Sequence, residues 1–154
     1  MGAWKFPLEG ACRCGQVRMR ITAPPFITSA CHCKGCQRMS SSAYSLSVAV
    51  PSEGFAVTQG EPVIGGLHGP LQHYFCPYCM SWMFTRPPGM EWFVNVRSSL
   101  LDEAERFAPF IETCTKEKLS WAKTPAAHSY ESFPPLEEFP KLIEAYRATS
   151  RSPG

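Results

Sequence analysis

Seven of the eight cysteines stand in three short clusters: Cys12-Arg13-Cys14, Cys31-His32-Cys33-Lys34-Gly35-Cys36 and Cys76-Pro77-Tyr78-Cys79. Two cysteines one or two residues apart in a tight turn can aim both sulfurs the same way, and two such turns supply the four thiolates of a tetrahedral zinc site. The grouping that uses the ligands most fully joins Cys12 and Cys14 to Cys76 and Cys79, and leaves Cys31, Cys33 and Cys36 as a set of three. Four ligands close a site and contribute folding energy, whereas three leave a coordination position for water or substrate, which is the catalytic arrangement. Spacing alone also permits Cys12 and Cys14 to pair with two of the middle cysteines.

Other chemistries fit these clusters less well. A disulfide within Cys-x-Cys is strained, and plain core cysteines do not cluster. Cys76-Pro77-Tyr78-Cys79 is also a glutaredoxin-type redox string, but that motif opens a helix, and Met80 to Thr85 alternates like a strand before Pro87-Pro88. Cys114 stands alone and reads as a packed free thiol. His32, between two cysteines of an extended turn, points away from them and reads as a hydrogen-bonding neighbour of the site. His68, His73 and His128 lack ligand spacing, with His73, three residues before Cys76, the one to follow.

The rest of the composition sets the frame for these residues. A chain of 154 residues is one domain's length. Hydrophobic residues at 44% and charged residues at 18% exclude an intrinsically disordered chain. The 15 prolines and 11 glycines imply many turns and few long helices. Eight cysteines are too few for a disulfide-built secreted scaffold, and the N-terminal residues lack the basic start and apolar run of an export signal, so the expected location is cytoplasmic. No apolar run reaches the ~18 residues of a membrane span. The formal charge of +2 gives little attraction to nucleic acid, and seven thiolates on two zinc ions would turn it negative. Neither nucleic acid nor membrane is an expected partner.

The elements that must position the cysteines read mostly as strands. Val17 to Thr22 alternates with period two, placing Arg18 and Arg20 away from the core. Phe26–Ala30, Ala43–Val50, Phe55–Gln59, Leu71–Phe75, Trp82–Thr85, Trp92–Val96 and Phe110–Thr115 follow as short strands between turn residues, an all-β sandwich or barrel pattern that two small sheets would satisfy. One helix is expected over about Leu136 to Arg147, from Leu136, Phe139, Leu142, Ile143 and Tyr146, with Pro140 either kinking it or lying in its first turn. It would lid one end of the sheet. Residues 1–148 read as a single zinc-binding domain and 149–154 as a tail.

In order and spacing these residues resemble the glutathione-dependent formaldehyde-activating enzyme family, which shares a zinc-ribbon-like β fold with the Mss4-like superfamily and the centromere protein V domain. Gly10-Ala11-Cys12-x-Cys14-Gly15-x-Val17-Arg18, Cys31-His32-Cys33-x-x-Cys36-x-x-x-Ser40, Gly60-Glu61-Pro62, Phe75-Cys76-Pro77-x-Cys79 and Leu101-Asp102 carry the likeness. The resemblance implies a mainly β, Mss4-like fold of short antiparallel strands with one C-terminal helix. It also implies a structural Zn²⁺ on Cys12, Cys14, Cys76 and Cys79, and a catalytic Zn²⁺ on Cys31, Cys33 and Cys36. The implied activity is that of a carbon–sulfur lyase run in reverse, joining glutathione to formaldehyde as S-hydroxymethylglutathione. Lys34, Gln37 and Arg38 are then candidate anchors for the carboxylates of glutathione. Two positions depart from the family: Met80 stands where many members have Gly, and Ser40-Ser41-Ser42 replaces a Ser-Gly turn. The alternative reading is a noncatalytic zinc module that binds a protein partner; long charged insertions would favour it, and the sequence contains none.

Overall fold

The computed structural model describes residues 4–149. Two sheets form the body. The smaller has three antiparallel strands in the order β1 (Leu8–Ala11), β2 (Arg18–Ile21) and β5 (Phe55–Gln59). The larger has eight, in the order β11 (His128–Ser129), β10 (Ile111–Thr113), β3 (Ile27–Cys31), β4 (Ser45–Pro51), β9 (Phe93–Val96), β8 (Trp82–Arg86), β7 (Gln72–Phe75) and β6 (Val63–Gly65). All pairings are antiparallel except β10 with β3 and β10 with β11, which are parallel.

The alternation in β2 does what its pattern requires, with Met19 and Ile21 buried and Arg20 exposed, its Nε donating to Glu9 across the strand pair at 2.7 Å. β4 is less regular because both of its faces are covered. Val48 and Val50 join Met19, Ile21, Phe84, Val94 and Val96 between the sheets, while Ala49 joins Ile27, Phe110 and Ile111 on the far side. That far side is closed by helix α2 (Phe139–Arg147), which buries Leu142 and Tyr146 one turn apart. Pro140 stands in its first turn, where a missing N–H costs nothing. A single 3-10 turn, Leu136–Glu138, precedes it and leaves Leu136 76% exposed, so the apolar stripe begins later than its spacing suggests. Ser150 to Gly154, most of the expected tail, lies outside the described residues.

A second helix, α1 (Lys34–Ser40), was not expected. It buries none of its residues, so no apolar period announces it, and its N-cap is Cys33, whose sulfur accepts from the Cys36 backbone N–H at 3.2 Å. Strands β1, β6 and β11 were also unexpected; they are four residues or fewer, with Gly inside or at the end of the first two.

The consequence for function is where strand ends meet. Register places Cys31 opposite Ser45, Val48 opposite Val96, Phe84 opposite Val96 and Phe75 opposite Trp82. One end of the large sheet therefore carries Cys31, Ser45, Arg97, Trp82 and Cys76, and β10, parallel to β3, brings Thr113 and Cys114 to the same end. Helix α2 packs away from this end. Leu142→Ala should therefore cost about 2–5 kcal/mol of stability by opening a cavity under α2. Metal bound by the cysteines should be unchanged at 25 °C, as thermal melting and metal analysis of the purified variant would check.

Candidate metal centres and the cleft beside them

All eight cysteines are free thiols. Cys12, Cys14, Cys76 and Cys79 hold their four sulfurs within 4.8 Å of one another, with Cys12 to Cys14 at 3.5 Å and Cys14 to Cys76 at 3.8 Å. Four sulfurs about 2.3 Å from a tetrahedral zinc are separated by about 3.8 Å, so this donor set fits that ion. The other groupings that spacing allows are not formed. The group joins the two sheets, because Cys12 follows β1 and Cys76 follows β7.

Backbone donors hold the knuckles. Val17 N–H donates to Cys12 Sγ at 3.3 Å and Cys79 N–H to Cys76 Sγ at 3.5 Å. Ser81, which sequence reading passed over, links the two: its Oγ lies 3.2 Å from Cys79 Sγ and accepts from Arg13 N–H at 3.1 Å. The turn after Cys79 leads into β8, a strand, so the helix that a redox Cys-Pro-Tyr-Cys motif needs is absent there. Two glycines of the sequence pattern serve the first knuckle. A Cβ on Gly60, at φ +79°, would meet Gln16 O at 2.6 Å, and one on Gly10 would meet Leu100 O at 2.8 Å, where Gly10 bridges Leu101.

The second group is Cys31, Cys33 and Cys36, again with sulfurs within 4.8 Å of one another. Cys31 ends β3, Cys33 caps α1 and Cys36 lies in its first turn. The Cys36 thiol, hydrogen-bonded to Cys31, lowers Cys31 to about 5 against the opposing effect of burial, and Cys36 is pushed up in return. The donors fit a zinc ion with three protein ligands. Cys114 is buried nearby but outside this set; burial, then the neighbouring Cys31, pushes its thiol up to about 12.

His32 points away from the sulfurs, as expected. It is fully buried, with Nε2 2.8 Å from Glu112 Oε2 and its ring edge-on to Tyr44. Glu112 is the residue that sequence reading missed. Ser129 and Thr124 donate to it at 2.7 and 2.9 Å, and Lys118 Nζ lies 3.4 Å from both oxygens. Burial alone would raise this carboxyl; the hydrogen bonds from Ser129, His32 and Thr124, with the Lys118 charge, outweigh it and lower the group to about 2. A glutamate within the apolar Phe110–Thr115 run was the available signal. Gln37 Nε2 donates to His32 O at 2.7 Å and Glu117 O at 3.0 Å, so its N–H groups brace the cysteine loop. The side-chain oxygen of Gln37 is an acceptor only. Lys34 and Arg38 are exposed on α1.

A cleft of about 340 Å³ is lined by Ser42, Ala43, Tyr44, Trp121, Ala122 and Lys123. Tyr44 connects it to His32, and Trp121 is 71% exposed at its rim. His73 lies away from the four-cysteine knuckle: its Nδ1 is 2.9 Å from Thr85 Oγ1 and its ring stands against Trp82.

The two departures from the family pattern acquire a physical meaning. Met80 and Ser41 have φ of 59° and 52°, the left-handed region that costs an L-residue roughly 1–2 kcal/mol and glycine little. Met80→Gly should raise the melting temperature without changing metal content. A second expectation concerns Glu112. Its folded value lies below its unfolded one, so the stability it contributes is present above the ordinary carboxylate range, about 4.5, and is lost as pH falls toward about 2. Glu112→Gln should therefore melt below the wild type at neutral pH, and the gap should close across that window in a pH series of melting curves.

Comparison with known proteins agrees with this geometry. The family model described as glutathione-dependent formaldehyde-activating enzyme matches residues 7–117. A Halomonas elongata protein carrying that family description is 28% identical over 103 residues, 62% of this chain and 66% of the relative, so the chain spans just under two thirds of that protein's length. A Rhodobacter sphaeroides crystal structure has a similar fold, with a TM-score of 0.50 at 17% identity over 62% of this chain and 88% of the other. With 7–117 containing all seven clustered cysteines, the chain belongs to the glutathione-dependent formaldehyde-activating enzyme family.

Proposed function

We propose that this protein is a zinc-dependent enzyme that joins glutathione to formaldehyde, giving S-hydroxymethylglutathione, the reverse of a carbon–sulfur lyase reaction. The observation that carries the proposal is the contrast between four sulfurs and three: Cys12, Cys14, Cys76 and Cys79 gather four within 4.8 Å of one another, enough for a closed site, while Cys31, Cys33 and Cys36 gather three, enough for an open one. Zinc, when held by these three residues, would supply a Lewis-acidic position that lowers the pKa of an added thiol.

The chain's own residues do the rest. His32, fixed by Glu112 and braced through its carbonyl by Gln37, keeps Cys31 and Cys33 in register so that the three sulfurs converge. The open cleft next to Tyr44, with Trp121 and Lys123 in its lining, is the proposed seat of the glutathione chain. Lys123 in the cleft and Lys34 and Arg38 on α1 are the proposed partners of the two carboxylates of glutathione. In the reaction the sulfur–carbon bond forms as the carbonyl π bond breaks, and the proton from the thiol ends on the new hydroxyl. Nothing leaves and no electrons are transferred, so positioning two reactants and relaying one proton suffices.

Two measurements test this together. Chelation should release zinc in two phases, first from Cys31, Cys33 and Cys36 with loss of glutathione-dependent formaldehyde consumption, then from the four-cysteine group with unfolding. Cys33→Ala should abolish turnover with a nearly unchanged melting temperature, and Cys76→Ser should cost folding. A folded, two-zinc wild type that consumes no formaldehyde with glutathione would overturn the proposal in favour of a noncatalytic module that binds a protein partner.

A further inference from the structure

One buried carboxylate touches both the cysteine loop and the wall of the cleft. Glu112 is 6% exposed, and its Oε2 lies 2.8 Å from His32 Nε2 and 2.9 Å from Thr124 Oγ1. An ionised carboxylate only accepts, so both groups donate to the same oxygen. His32 is fully buried and stands between Cys31 and Cys33. Thr124 follows Trp121, Ala122 and Lys123, which form one wall of the cleft. Lys118, which precedes that wall in the chain, places its Nζ 3.4 Å from both oxygens, and Ser129 donates to Oε1 at 2.7 Å. The wall is therefore held to Glu112 from both of its ends. The opposite wall, Ser42 to Tyr44, reaches the same pair, because the Tyr44 ring stands edge-on to His32 with ring centroids 5.3 Å apart.

Sharing one oxygen makes the two contacts interdependent. Oε2 cannot follow His32 away from Thr124, or the reverse, without lengthening a hydrogen bond to a buried charge. We propose that Glu112 is a positioning residue for both halves of the reaction site: it fixes the wall of Trp121, Ala122 and Lys123 against the loop of Cys31 and Cys33, so that a molecule seated in the cleft and an ion held by the cysteines keep one relative placement. The inference rests on the reading that the three cysteines hold zinc and that the cleft seats glutathione. A reaction that only joins two molecules depends on such placement, since a displacement of about 1 Å can cost about 100-fold in rate. Gln37, which donates to His32 O and Glu117 O, ties the chain just before this segment to α1; Glu112 ties the part that lines the cleft.

The test reads the zinc-loaded full chain in three ways: chelator competition for the three-cysteine zinc, amide hydrogen exchange across residues 118–124, and binding of S-methylglutathione, which has no thiol proton to lose and so reports the cleft. Glu112→Gln should weaken the three-cysteine zinc by about 10–100-fold, the usual effect of removing a partner behind the ligands, and leave the four-cysteine zinc unchanged. It should also speed exchange across 118–124 and weaken S-methylglutathione. Thr124→Val should separate the two sides: exchange about tenfold faster, the lower end of what one hydrogen bond to a charged group contributes, S-methylglutathione weaker by a similar factor, and zinc at wild-type affinity. Leu142→Ala, destabilised under α2, is the control and should keep both affinities. If Glu112→Gln fails to fold, shown by loss of the four-cysteine zinc as well, Glu112→Asp, which keeps the charge but is one carbon shorter, takes its place with the same expectation. A Glu112 variant that melts lower but keeps both affinities, or a Thr124→Val protein with unchanged exchange, would overturn the positioning role and leave Glu112 a stabilising group only. A wild type that does not bind S-methylglutathione would instead count against the cleft as the seat of glutathione, while zinc competition and exchange still decide whether Glu112 holds the loop and the wall together.

Discussion

Sulfurs that hold a metal must be gathered within a few ångströms of one another, and thiolates so gathered repel. The fold is arranged around that constraint. The antiparallel succession of β3, β4, β9, β8 and β7 returns the chain to the same sheet end on alternate strand termini, so residues far apart in sequence arrive there by register alone. Backbone N–H groups then meet the sulfurs: Val17 at Cys12, Cys36 at Cys33 and Cys79 at Cys76. Hydrogen bonds of this kind favour the anionic form and offset part of the repulsion before any cation is added.

Residues that touch no metal are explained by the same requirement. The Gly10-Leu101 bridge lets β1 approach the chain at Leu100 closely enough to aim Cys12, and Gly60 lets the turn after β5 lie against Gln16 and Val17. Gln59 adds two hydrogen bonds from its side chain to the carbonyls of Gly15 and Gln16. The Gly60-Glu61-Pro62 and Leu101-Asp102 segments, weak as isolated motifs, are thus the outer supports of one knuckle. At the other site Glu112 has the comparable role. It collects donors from the loop of residues 118–129 and from His32, tying that loop to the strand that carries Cys31.

How far the sequence disclosed this depends on the kind of signal each residue leaves. Cysteine spacing is local and chemically specific, so the two groups were legible, down to the choice between pairings that the sheet register then settled. Strands with one covered face, such as β2, show their period; β4, covered on both, shows only an apolar run. Helix α1 leaves no apolar trace because it buries nothing, and its cap is a cysteine, which sequence rules assign to the metal and not to the helix. Leu136 fell at a helical interval by coincidence, before the helix begins. Glu112 left only a charge inside an apolar run as its trace, because its partners His32, Lys118, Thr124 and Ser129 come from other elements, and a buried charge is recognised only when its neighbours are known.

The two cysteine groups differ in what else depends on them, and that difference separates stability from chemistry. Cys12, Cys14, Cys76 and Cys79 come from the ends of strands in the two different sheets, so whatever holds these sulfurs together holds the sheets together at that end. Cys31, Cys33 and Cys36 come from one strand end and a seven-residue helix with no buried side chain, so movement there disturbs little of the core. Local rearrangement of such an element costs less free energy than unfolding, whereas a change across the interface between the sheets does not stay local. The buried His32–Glu112 pair next to these cysteines is anchored in the large sheet through β10. The helix can adjust while that buried pair stays in place.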